Sequence, residues 1–168
     1  MTTLARAIGA ALIVTSLGAI AADKLSSHDQ DFVNKAAAAG MKEVEVSKLA
    51  QGHAANADVK AFAERMVIDH GKANDKLMGL VKDNSWTAPS ALDKDGQAAV
   101  TELSSKSGAD FDKAYLKAMV KDHDDAVKLF RSEADKGDNA ALKDFAKNTV
   151  GAIEQHDSMA KELKKKAG

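Results

Sequence analysis

The chain has 168 residues, long enough for one domain with a full hydrophobic core, and carries a formal net charge of −1 with no Cys at all. Near-neutrality leaves no global field to attract nucleic acid or an acidic membrane surface. The lack of Cys excludes disulfides, thiol chemistry and a lipid-modified N-terminal cysteine. One Pro, five Phe, one Trp and one Tyr stand in a mixture rich in helix formers, which predicts an all-α fold.

The first 21 residues read as a signal peptide. Arg6 and the amino terminus supply a short positive region, an uncharged stretch from Ala7 to Ala22 follows, and Ala19-Ile20-Ala21 forms a small-x-small cleavage pattern. An uncleaved anchor is the rival reading, because the apolar stretch is just long enough to span a bilayer. The Ala-rich, Gly-containing composition and the cleavage pattern favour removal, leaving residues 22–168 as the folded domain in the periplasm or outside the cell. No further membrane span is expected.

Ser27 is expected to open the first long helix, with Gln30 as its capping-box partner, and Phe32, Ala36, Ala39, Val46 and Ala50 recur at the spacing of a bundle seam. This helix should end near His53. Asn56 caps the second helix, whose stripe is Val59, Phe62, Met66, Ala73, Leu77 and Leu80, fading by Asn84. Ser85 to Leu92 is a loop holding Trp86 and the sole proline, Pro89, and a short helix from about Asp93 to Ser105 follows before Gly108 ends the connection. A third long helix starts near Asp110 with Leu116, Met119, Ala126 and Phe130. Gly137-Asp138-Asn139 turns the chain, and a fourth runs from Ala140 to about Lys165 with Leu142, Phe145, Thr149, Ile153 and Leu163. Lys161 and Lys164 to Lys166 complement the dipole of its last turn.

The predicted fold is therefore an antiparallel four-helix bundle, ferritin-like, with a long crossover containing a short helix between the second and third long helices. Helices of about 40 Å need a crossover of that reach, although a simple up-down-up-down order stays open. Val59-Lys60-Ala61-Phe62-Ala63 lines up with Leu142-Lys143-Asp144-Phe145-Ala146, and Ser47-Lys48-Leu49-Ala50 with Val127-Lys128-Leu129-Phe130, as weak traces of a repeated hairpin.

Each long helix places one metal-capable side chain on its apolar stripe: Glu43, His70, His123 and His156. Counted from the hairpin turns they lie about 18 to 28 Å along the helices, near mid-height whichever end each turn occupies. One carboxylate and three imidazoles are the N and O donors wanted by a single zinc, iron, manganese or copper ion. Without a metal they form a polar cluster in the core. No Glu-x-x-His occurs on any helix, so the bridging carboxylates of a di-iron oxidase are missing. Met66, Met119 and Met159 lie near the histidines in sequence, where sulfur would suit copper but core filling is the commoner use. Asp69, Asp122 and Glu154 are candidate partners for the imidazoles, or solvated surface charges. His28 and His53 fall near helix ends, where exposure is expected. Gly40 and Gly71 sit inside helices, where a packing or access reason is expected, and Tyr115 could pack, donate a hydrogen bond or act in redox chemistry. No phosphate loop, nucleophile elbow or His-Glu-x-x-His is present, so no catalytic residue is assigned and an enzyme is not the favoured reading.

The segments Lys60-Ala61-Phe62-Ala63-Glu64-Arg65-Met66-Val67-Ile68-Asp69-His70 and Phe111-Asp112-Lys113-Ala114-Tyr115-Leu116, with Glu43 to Ala50 upstream and His123 and His156 downstream, carry a resemblance. From about Asp29 to Leu163 the chain resembles the domain-of-unknown-function family 4142, exported bacterial proteins often described as membrane or outer-membrane proteins. The resemblance implies a ferritin-like bundle and a bacterial envelope location, and it implies no activity and no site residue. The leading functional expectation is a periplasmic bundle that sequesters or buffers one transition metal during envelope stress. The alternative is a metal-free structural or interaction module of the envelope. A third, a metal-dependent redox enzyme, requires an open coordination position and a substrate pocket.

Overall fold

A computed structural model describes residues 24–167; the signal-peptide expectation for residues 1–21 lies outside them. The described residues form five helices: α1 (Ser27–His53), α2 (Ala57–Asp83), α3 (Lys94–Ser104), α4 (Gly108–Lys136) and α5 (Ala140–Ala167). Among the described residues there is no strand, only an isolated bridge between Ala54 and Gly108. No described helix is long and apolar enough to cross a membrane.

The helices start where side chains can satisfy their first amides. Ser26, one residue before the expected Ser27, accepts from the Asp29 N–H at 3.1 Å, and Asn56 accepts from Asp58. Gln30 does not close a capping box; its side chain donates to the Thr87 carbonyl in the crossover at 2.9 Å. Asp93 caps α3 through Gly96, and Asn139 accepts from Ala141 and Leu142 at the start of α5. Gly108 adopts φ +62°, a left-handed conformation that a side chain would strain, where the crossover bends into α4.

Each long helix has two long neighbours. α1 packs on α2 and α4, and α5 packs on α4 and α2, while α3 lies against α1 and α4. The direction of each helix follows from two carboxylates. Asp112, near the start of α4, accepts the Ala55 and Asn56 amides of the α1–α2 turn at 3.2 and 2.9 Å. Asp29, near the start of α1, accepts the Asp138 and Asn139 amides of the α4–α5 turn at 2.9 and 3.0 Å. The two hairpin turns thus lie at opposite ends, and residues 84–107 carry the chain back along the helices between them. Among the expectations, that of a long link containing a short helix agrees with this path.

Apolar side chains close the interior in two clusters. One gathers Val46, Phe62, Met66, Phe111, Tyr115, Leu116 and Met119 near the α1–α2 turn. The other gathers Phe32, Leu77, Ala126, Phe130, Leu142, Phe145 and Ile153 near the α4–α5 turn. Between them stands a polar layer.

Candidate metal centre

Glu43, His70, His123 and His156 come from α1, α2, α4 and α5 respectively, and all four are buried. Their helices deliver them to one level because each lies on the stripe that faces the core, flanked by Val46, Met66, Met119 and Ala160. The three imidazole rings form a nearly equilateral triangle with centroid separations of 5.3, 5.3 and 5.6 Å. One nitrogen from each ring lies within 4.8 Å of the others.

One nitrogen of each ring is held by an oxygen acceptor. His70 Nδ1 meets Glu43 Oε2 at 2.8 Å, His123 Nδ1 meets the Met119 carbonyl at 2.9 Å, and His156 Nε2 meets Asp69 Oδ2 at 3.0 Å. Each acceptor is a carboxylate or a carbonyl, so each of these ring nitrogens donates its N–H. In the neutral ring the remaining nitrogen then carries a lone pair. Those remaining nitrogens, His70 Nε2, His123 Nε2 and His156 Nδ1, are buried with no hydrogen-bond partner. This is how imidazole ligands of metals are oriented, with the distal N–H held by an oxygen acceptor.

Glu43 sits behind the triangle. Its Oε2 holds His70, while Oε1 lies 3.7 Å from His123 Nδ1, too far for a hydrogen bond, and has no hydrogen-bond partner. The nearest lysine on its helix, Lys42, pairs with Asp122 at 2.8 Å. Burial pushes the Glu43 carboxyl up, but the charge and hydrogen bond of His70 and the charge of His123 outweigh it and hold the group at about 2. Burial pushes His70 down, and the charge and hydrogen bond of Glu43 reverse that and raise it. A buried anion here demands a positive charge, which the triangle supplies as a proton on His70 or as a bound cation. His156 is lowered to about 4, first by burial and then by its electrostatic interaction with the neighbouring rings, against the pull of Asp69. It is therefore a neutral donor at pH 7.

The other expectations divide. Asp69 does hold an imidazole, but it serves His156 across the helix interface while also accepting from Arg65 at 3.2 Å. Asp122 and Glu154 pair with Lys42 and Arg131 and touch no histidine. Met66 and Met119 are buried core residues, and Met159 meets the Arg65 guanidinium at 3.5 Å. Tyr115 packs in the core and shares a 2.7 Å hydrogen bond with Ser47; burial raises its phenol strongly. Gly40 has the expected packing reason, because a Cβ there would collide with the Asn74 side chain, whereas one on Gly71 would meet nothing. His53 is not simply exposed: its Nδ1 meets the Lys106 carbonyl at 2.7 Å and its ring lies 5.6 Å from Phe111.

Three carboxylates were not anticipated. Asp29 and Asp112 tie the helix starts to the opposite turns, and Glu133, fully buried on α4, lies beside Asp29 with His28 Nε2 at 3.3 Å. A signal for the first two existed. Asp29 and Asp112 are separated by the same 83 residues as the cap residues Asn56 and Asn139.

A family model described as domain of unknown function (DUF4142) matches residues 14–163. Among solved structures, a DUF305 fragment from Deinococcus radiodurans superposes with a TM-score of 0.74 at 11% identity, covering 84% of this chain and 98% of that one. A DUF305 protein from Streptomyces coelicolor, whose name carries a provisional assignment as secreted, superposes with a TM-score of 0.72 at 17% identity over 84% and 94% of the two chains. At these identities the likeness concerns the fold. No curated protein matches the sequence significantly.

Proposed function

The chain belongs to the family of the domain of unknown function DUF4142, and we propose that it is an exported ferritin-like four-helix bundle that binds one transition-metal ion through His70, His123 and His156. One observation carries the reading: a nitrogen from each of three buried imidazoles lies within 4.8 Å of the others, and each ring keeps one buried nitrogen with no hydrogen-bond partner. Three neutral lone pairs facing one another in an apolar core are destabilising unless a cation or proton stands between them. Glu43 and Asp69 orient two of the rings and supply negative charge, so they act as positioning groups in this reading. Three imidazoles suit zinc, copper or iron(II) better than manganese, which prefers oxygen.

The closed ring of long helices, the turns at opposite ends and the long crossover support the ferritin-like topology. The hydrophobic leader in residues 1–21 and the secreted description of a structural neighbour support a periplasmic address. Holding one ion in a closed core suits sequestration or buffering under envelope stress.

The test is the metal content of the purified protein after challenge with zinc, iron, manganese and copper. About one ion per chain is expected, as for a three-imidazole site, and none in the His70→Ala/His123→Ala pair. A wild-type protein that takes up no metal from any of the four overturns the proposal. That result would favour a metal-free interaction module of the envelope.

A further inference from the structure

One side of the histidine triangle is packed and the other is not. Toward the α1–α2 turn, Met66, Met119 and Ala160 stand one turn away and are fully buried in a continuous cluster. Toward the α4–α5 turn there is a cavity of about 50 Å³. His70, His156, Glu43 and Asp69 form its polar end, and Ala36, Ala126, Phe130, Phe145 and Ile153 are among its apolar walls. Small residues create this space: Ala36, Ala39, Gly40, Ala73, Ala126 and Ala152 line it from all four long helices. Larger side chains at any of these stripe positions would have filled it, as they do in the other half.

We propose that this cavity is a ligand pocket for the fourth coordination position, sized for a molecule of two or three heavy atoms, such as dioxygen, nitric oxide or a small linear anion. The inference rests on the metal reading above and adds to it what the metal binds. Three protein donors leave a tetrahedral ion one position short, which is the condition for an exogenous ligand. A single water needs about 10–15 Å³ of such space, so a void of this size has room for a ligand of a few heavy atoms. Its walls offer few hydrogen-bonding groups. Among the polar groups that line it, the Glu43 and Asp69 carboxylates hold His70 and His156, Thr149 Oγ1 donates to the Phe145 carbonyl at 2.6 Å, and Asn74 is the remaining polar side chain. Strongly hydrated or bulky ligands are therefore disfavoured, and small, weakly hydrated ones are favoured.

A path to the pocket runs through the seam of α1 and α2. A surface depression of about 220 Å³, lined by Ala37, Met41, Met78 and Pro89, shares Asn74 and Leu77 with the inner cavity. Gly40 lets the Asn74 amide lie against α1 at this point, since a Cβ would occupy its place. Asn74 and Leu77 thus line both the depression and the inner cavity.

The experiment uses the protein loaded with cobalt(II), whose visible spectrum reports coordination number, titrated separately with azide and with imidazole. The expected result is saturable azide binding with a changed ligand-field spectrum, and no response to imidazole, whose five-membered ring exceeds the pocket. Ala126→Val, which adds two carbons to the pocket wall, is expected to keep the cobalt stoichiometry and weaken azide binding at least tenfold. Ala36→Val replaces it if the first variant does not fold. A cobalt-loaded protein indifferent to azide, or one that binds imidazole equally well, overturns the pocket and leaves the metal site standing. A protein that takes up no cobalt and none of the four metals above overturns both.

Discussion

Between the histidine layer and the α1–α2 turn, Phe62, Phe111 and Tyr115 stack and cross at 5.7 and 6.2 Å, and Ser47 satisfies the one phenol in the cluster. Between the layer and the α4–α5 turn, Phe32, Phe130 and Phe145 form a similar aromatic trio at 5.1, 6.3 and 5.8 Å. Each end is closed by an aspartate that accepts two turn amides. The halves diverge in what surrounds these shared parts. The first is filled. The second holds the cavity beside the histidines and a second buried carboxyl, Glu133, behind its closing aspartate. Matching ends with unmatched interiors indicate that the clasps and aromatic trios specify the fold, while the departures from them leave room for a ligand and for a titrating group.

The clasps provide the largest test of that difference. Asp112→Ala removes a carboxylate from two turn amides, and charge-assisted hydrogen bonds of this kind are each worth about 1.5–3 kcal/mol, so a loss of about 3 kcal/mol is expected in urea unfolding. Asp29→Ala breaks the same two bonds, yet it also removes the negative charge that raises the Glu133 carboxyl. Its net cost should be the smaller of the two, because relief of the Glu133 carboxyl offsets part of the loss. Equal losses would mean that Glu133 places no load on its end of the molecule.

A smaller contrast comes from one substitution made on both sides of the layer. Ala63 is fully buried in the filled half, and Ala126 faces the cavity. Ala63→Val should cost about 1–3 kcal/mol through overpacking. Ala126→Val has space to enter and should lose only a few tenths of a kcal/mol, the helix-propensity difference. If both variants lose stability alike, the cavity is not room that a side chain can use.

Much of this layout was legible in the residues, and the parts that were not share a physical cause. The stripe positions of Glu43, His70, His123 and His156 follow from the 3.6-residue period, and a height count was enough to put them on one level. The period does not say which atoms converge. Asp69 is adjacent to His70 in sequence but serves His156, because neighbouring residues on a helix face different ways and partners come from another helix. Glu43 reads as a ligand by position, whereas its rotamer puts it against the Nδ1 side of two rings. Asp29 and Asp112 look like ordinary acidic residues in a first turn; their use depends on the end of a different hairpin arriving beside them. Ser26 rather than Ser27 caps α1, and Gln30 reaches to the crossover instead of closing a capping box, again a contact between segments distant in sequence. His53 met the same fate through Lys106.

The smallest expected effect concerns Glu133 and the acidity of the medium. Burial raises its carboxyl first, then the charge and hydrogen bond of Asp29 and the charge of Asp138, to about 7, with Lys143 offsetting part. His28 approaches from α1 at 3.3 Å, so α1, the turn and α5 all contribute groups that face it. The unfolded chain has the ordinary value of 4.5, so the folded state holds this proton more tightly. The protonated carboxyl is the form the fold favours, and its contribution is fully present below about pH 4.5 and is lost as pH rises through about 7. Glu133→Gln keeps the shape and cannot ionise. Its stability should fall less than that of the wild type between about pH 5 and 8, and above pH 7 the variant should melt about 2–4 °C higher, the shift equivalent to roughly 1 kcal/mol in a chain of this size. Parallel profiles for Glu133→Gln and wild type would place the two ends on an equal footing and confine the asymmetry of the molecule to its cavity.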